Sequence, residues 1–101
     1  MTEIKKIKEL VQQELAEANE IHPQFHSDHE AWAVIKEEID ECADEMDGIQ
    51  KVFEETWEEI KEDRSIKEWL KLTERFAIDL IREAIQVAAM CEKGVARYDK
   101  D

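Results

Sequence analysis

Apolar residues recur along this chain at helical spacing, and nowhere do they alternate as they would in a strand. Ile4, Ile7, Val11, Leu15 and Ala18 mark a first helix from Thr2 to about Asn19. Pro23 ends it. A second helix begins at Ser27, with Glu30 three residues on in the spacing of a capping box. Its stripe is Ala31, Val34, Ile35, Ile39, Cys42 and Met46. Asp47-Gly48 reads as a kink or turn. The pattern resumes through Ile49, Val52, Phe53, Thr56, Trp57 and Ile60, a third helix that is nearly continuous with the second and ends near Glu62. Ser65 and Glu68 repeat the capping spacing. A fourth helix then carries Ile66, Trp69, Leu70, Thr73, Ala77, Leu80, Ala84, Val87, Ala88, Cys91 and Val95. The expected fold is all-α: an antiparallel four-helix bundle in a single domain spanning residues 1–101, alone or completed by a second chain.

Composition agrees. Two glycines and one proline in 101 residues leave few turns. A lone chain of this length buries a modest fraction of its surface, which favours oligomerisation as a dimer or tetramer. The formal charge of -13 opposes binding to nucleic acid or to an anionic membrane. It also opposes a free nucleoside triphosphate, so nucleotide binding would need a divalent cation. No apolar run approaches the roughly 20 residues of a membrane span. The charged start of the chain does not read as a signal peptide. Cys42 and Cys91 lack the spacing of a zinc or redox motif and fall on apolar stripes, so buried free thiols in a cytoplasmic setting are expected.

The acids bring in chemistry through the faces they occupy. At 100° per residue, Glu38, Glu41 and Glu45 share one arc with Val34, and Glu38 and Glu45 lie nearest the apolar stripe. Glu83 flanks the stripe of the last helix, with Asp79 one turn before it and Gln86 nearly one turn after. Packing along the stripes brings Glu38, Glu41, Glu83 and Asp79 toward one edge of the core. Clustered carboxylates repel one another and raise their own pKa values. A hard cation such as Mg²⁺ relieves that conflict. The same residues at the same spacing also describe an ordinary solvated helix face.

The stretch Phe25-His26-Ser27-Asp28-His29-Glu30-Ala31-Trp32-Ala33-Val34-Ile35-Lys36-Glu37-Glu38-Ile39-Asp40-Glu41 resembles the start of the catalytic region in small MazG-like proteins. These belong to the all-α nucleotide pyrophosphohydrolase superfamily of bacteria and phages. Glu83-Ala84-Ile85-Gln86-Val87-Ala88-Ala89-Met90 resembles that group's later helix. The family motif is Glu-Glu-x-x-Glu on one helix and Glu-x-x-Asp on the other. Glu37, Glu38, Glu41 and Glu83 match it, and Gln86 stands where an Asp is expected. The resemblance implies hydrolysis of a nucleoside triphosphate to a monophosphate and pyrophosphate, supported by Mg²⁺ or Mn²⁺. It makes Glu38, Glu41 and Glu83 metal ligands and Glu37 a ligand or water-orienting base, with catalysis resting on Glu37 and Glu38. The fourth metal position falls to Gln86 or shifts to Asp79.

Phe25, His29 and Lys36 are the candidate substrate contacts. Arg75, Arg82, Lys93 and Arg97 are further cations that could meet phosphates. His22, His26 and His29 cluster in sequence, but Pro23 and the helix start at Ser27 separate them. A di-iron bundle would need Glu-x-x-His pairs, which the chain lacks. Two non-enzymatic alternatives stand beside hydrolysis. One is a non-catalytic helical oligomer, favoured by Gln86. The other is an acidic decoy of DNA, which needs acids spread over an outer face rather than converging.

Overall fold

The computed structural model describes residues 2–99. Its secondary structure is entirely helical: α1 Thr2–Ile21, α2 Asp28–Lys61 and α3 Lys67–Ala96. There are three helices rather than four, because the expected second and third are one continuous rod of 34 residues. Gly48 does not break it. A Cβ at Gly48 would lie 2.7 Å from a ring carbon of Phe76. The glycine is there so that the Phe76 ring of α3 can press against the α2 backbone.

The helix ends are built locally. Ser27 Oγ accepts the Glu30 N–H at 3.0 Å, as the capping spacing predicts. The reciprocal bond differs from a standard capping box. Glu30 accepts from the His26 N–H at 2.9 Å, one residue before the cap. At the other end of α2, Arg64 N–H reaches Glu59 O and Asp63 N–H reaches Ile60 O, with Asp63 at φ 55°. That pairing is a Schellman motif, with an aspartate in the left-handed position usually held by glycine. The Ser65–Glu68 box does not form: Ser65 Oγ accepts from Lys67 N–H instead, and the cap of α3 is Ile66.

α2 and α3 form an antiparallel hairpin. Asp28 pairs with Arg97 at one end, and Gly48 meets Phe76 further along. α1 packs on α3 near the open end of this hairpin, tied by Gln12 donating to Glu92 at 2.7 Å. The core sits at that end. Val11, Phe25, Ala31, Ala89 and Met90 are buried, with Leu15, Ala18, Val34, Ile35, Ile85 and Ala88 packed around them.

The stripe read along α3 holds in part: Ile66, Trp69, Thr73, Ala77, Leu80, Val87 and Ala88 are half-buried, while Leu70, Ala84, Cys91 and Val95 are exposed. The fully buried positions of α3 are instead Glu83, Ala89, Met90 and Lys93. Two charged residues thus share the seam beneath α1 and α2, and part of the apolar stripe is left outside it. For the same reason Cys91 is exposed rather than buried; Cys42 is half-buried, and both thiols are free. Away from the core, Phe53, Trp57, Ile60, Leu70, Ile78 and Ile81 are exposed. The molecule is elongated, 64 × 31 × 22 Å. Among the described residues, no helix is long and apolar enough to cross a membrane.

Candidate metal centre and adjoining cleft

Glu38 and Glu41 lie three residues apart on α2, and Glu83 approaches from α3. One carboxylate oxygen from each lies within 4.8 Å of the others. The antiparallel hairpin makes this meeting, since it sets the middle of α2 against the middle of α3. Glu83 is only 9% exposed, Glu38 is half-buried and Glu41 is exposed, so the cluster opens outward at one side.

The electrostatics are those of crowded like charges. Burial raises the Glu38 pKa to about 7, helped by the charges of Glu41 and Glu83, by a hydrogen bond with Glu41 and by Glu14 of α1. Glu83 is raised by its hydrogen bond with Glu41, by burial and by the Glu41 charge, against a lowering from Arg82. Glu45, one turn beyond Glu41, adds to the negative field at Glu83. Burial and then the three acids also push the Cys42 thiol upward, which disfavours a thiolate there.

Gln86 lies against the cluster. With its amide nitrogen turned toward the acids, it donates to Glu38 Oε2 at 2.7 Å and to Glu83 Oε2 at 3.0 Å. The side chain thus holds together two carboxylates that would otherwise repel each other. Asp79 is half-buried one turn before Glu83 and stands outside the converging group, as does the exposed Glu37.

A cleft of about 630 Å³ lies between α1 and the start of α2, floored by α3; the three acids do not line it, and Val34, one helical turn before Glu38, is its last lining residue on α2. Ala18, Ile21, Phe25, Val34 and Met90 give it apolar walls, and Glu14 lines it on the side facing Glu38. Phe25 is therefore at the cleft, as the sequence suggested, though it is 5% exposed and forms wall rather than rim. His29 and Lys36 do not line it. His29 is exposed, and Lys36 pairs with Asp40 at 2.6 Å on the solvent side of α2. Arg97 is engaged with Asp28.

No protein-family model, curated protein or solved structure matches this chain. The functional reading therefore rests on the residues and their geometry.

The donor set suits a hard divalent cation. Three carboxylates converge, and beside them Glu45 Oε2 is buried with no hydrogen-bond partner among the described residues. Sequence reasoning placed Glu45 on the acidic arc but did not select it. It missed Glu14, because nothing in the α1 pattern says which face meets Glu38. It named Lys93 only as one of several surface cations.

Proposed function

We propose that this chain is a Mg²⁺-dependent nucleotide pyrophosphohydrolase of the MazG-like type. It would convert a nucleoside triphosphate to a monophosphate and pyrophosphate. The observation that carries the reading is the meeting of Glu38, Glu41 and Glu83 across two helices; a cleft large enough for a small molecule ends at Val34, one turn of α2 away from Glu38. These residues also match the motif positions of the resemblance described above.

Glu38, Glu41 and Glu83 would hold the cation, with Glu45 as the adjoining acceptor. When bound, the cation supplies positive charge for phosphate oxygens and a more acidic water. The chain supplies the rest. The apolar walls of the cleft shield the base from water. The proton that Glu38 retains near neutral pH is given up when a positive charge arrives. In the overall reaction a water oxygen attacks the α-phosphorus, the bond to the bridging oxygen breaks and pyrophosphate leaves.

The apolar surface supports assembly as a dimer or dimer of dimers. Ile78, Ile81, Ala84, Cys91 and Val95 recur along the outer face of α3, and a second copy of the hairpin laid there would complete a four-helix bundle.

The direct test is pyrophosphate release from a panel of canonical and damaged nucleotides with Mg²⁺ or Mn²⁺. Release that disappears in Glu38→Gln and Glu83→Gln supports the reading. No release from any nucleotide would leave the second reading, a non-catalytic helical oligomer. What favours that reading is Gln86, whose amide satisfies Glu38 and Glu83 without any cation.

A further inference from the structure

Lys93 is 6% exposed, an unusual state for a lysine. Its ammonium donates to the His22 carbonyl beyond the end of α1 and sits 4.8 Å above the centre of the Phe25 ring. Its charge acts on Glu30 through space, but the ion-pair partner of Glu30 is His26. An ammonium has three donors. The His22 carbonyl takes one, and Lys93 lines the cleft.

The cleft has apolar walls in Ala18, Ile21, Phe25, Val34 and Met90, and polar side chains such as Glu17, Gln24 and His26 line it as well. Lys93 is its buried cation, and acids supply the rim from Glu14 to Glu30. Ten residues of α3 separate Lys93 from Glu83, about 15 Å of helix axis. A ligand that touches both needs a flat, mostly apolar head and an extended anionic tail.

We propose that Lys93 is the specificity residue of this cleft and selects a heterocycle carrying a carbonyl oxygen over one carrying only an amino group. The proposal rests on the nucleotide reading above. A lysine ammonium only donates, so it meets an oxo group favourably and an exocyclic amino group unfavourably. At a lysine only 6% exposed, the mismatch leaves a donor of the ammonium facing a donor of the base. Hypoxanthine, guanine and uracil heads offer such an oxygen; adenine offers only ring nitrogens as acceptors, beside an amino group that donates.

Inosine and adenosine make a matched pair, since at ring carbon 6 one carries oxygen and the other an amino group. Uridine adds a smaller oxo head. Each nucleoside is titrated into the full chain in EDTA, following the methyl signals of Val34 and Met90 and the ammonium signal of Lys93 by NMR. The tighter of inosine and uridine should bind roughly tenfold better than adenosine. Lys93→Met should erase the difference, and Lys93→Arg, which keeps charge and donors, should preserve it. The Arg variant keeps the test open if Met at this position impairs folding. Adenosine binding as well as the better oxo nucleoside would overturn the proposal, as would the absence of any shift at these signals. A purely structural Lys93 would change stability without changing the ratio. Nucleosides carry no phosphate and the titration contains no metal, so a chain that hydrolyses nothing can still pass, and an active hydrolase can still fail.

Discussion

Glu38 shows how a single carboxyl can report the state of the whole cluster. It binds its proton more tightly in the folded chain, near pH 7, than at its ordinary value of 4.5. Its contribution to stability is complete below about pH 4.5 and is lost as the pH rises through about 7. Glu83 is shifted in the same direction. The melting temperature in EDTA should therefore fall as pH rises across that window, and Glu38→Gln should flatten the fall. A wild-type curve as flat as the variant's would refute the crowding described here. Added Mg²⁺ should restore stability at pH 8. At one hundred times its dissociation constant it adds about 2.7 kcal/mol, worth roughly 10–20 °C for a domain of this size. Glu38→Gln should remove most of that rise, and Asp79→Asn should leave it intact. Gln86→Asp makes a sharper comparison. It replaces the donor between Glu38 and Glu83 with another anion, so it should lower the metal-free melting temperature above pH 7 and tighten Mg²⁺ binding by calorimetry. Weaker binding would mean that the amide aids the cation rather than substituting for it. The pairing of Glu38 and Glu41 with Glu83 was legible in sequence, because angular arithmetic fixes the face of a helix. The role of Gln86 was not, because an amide can accept or donate and only its neighbours decide.

At the scale of the helices, the sequence located starts better than continuities. Ser27 was legible because a cap is a local hydrogen bond. Gly48 was misread as a kink because glycine serves both turns and close approaches, and the approaching ring lies 28 residues away at Phe76. Two opposing effects can be separated there. Gly48→Ala improves helix propensity by about 1 kcal/mol but drives a Cβ into the ring, an overpacking cost of about 1–3 kcal/mol. The substitution should lower the melting temperature in the wild type and raise it in a Phe76→Leu background. Stabilisation in both backgrounds would show that the ring moves aside freely. The partial match of the α3 stripe has a related cause. Its seam holds Glu83, Gln86 and Lys93 beside apolar residues, so hydrophobic periodicity alone captured Val87 and Ala88 but also took in the exposed Ala84, Cys91 and Val95. Charged residues inside a seam are invisible to a pattern that treats charge as surface, and here they are the residues that line the cleft and the acid cluster.

For the whole molecule, the radius of gyration is 17.8 Å, against about 13 Å for a compact domain of 100 residues. Trp57 and Phe53 are 59% and 55% exposed. This shape fits the dimer proposed above, in which the exposed apolar face of α3 would be covered by a second copy. Light scattering should give a dimer or tetramer, and Ala84→Arg on the exposed face should give a monomer that keeps its helical circular dichroism. If α3 meets its copy symmetrically, mild oxidation should join two chains through Cys91, and a Cys91→Ser variant should not cross-link. A strictly monomeric mass at high concentration would remove this arrangement. The packed end of the hairpin and its bare end also differ in what holds them. Around Met90, opening the chain tears apart a core shared by three helices. Around the Asp63 turn, it separates only two helices, whose contact is made by half-buried residues such as Val52, Ile66 and Trp69. Amide exchange should consequently run as a gradient along the hairpin, slow near Ala89 and fast between Phe53 and Leu70. The fast end would slow on dilution-sensitive assembly, whereas the slow end would respond chiefly to ligand, so one exchange map would separate the two events in the same sample.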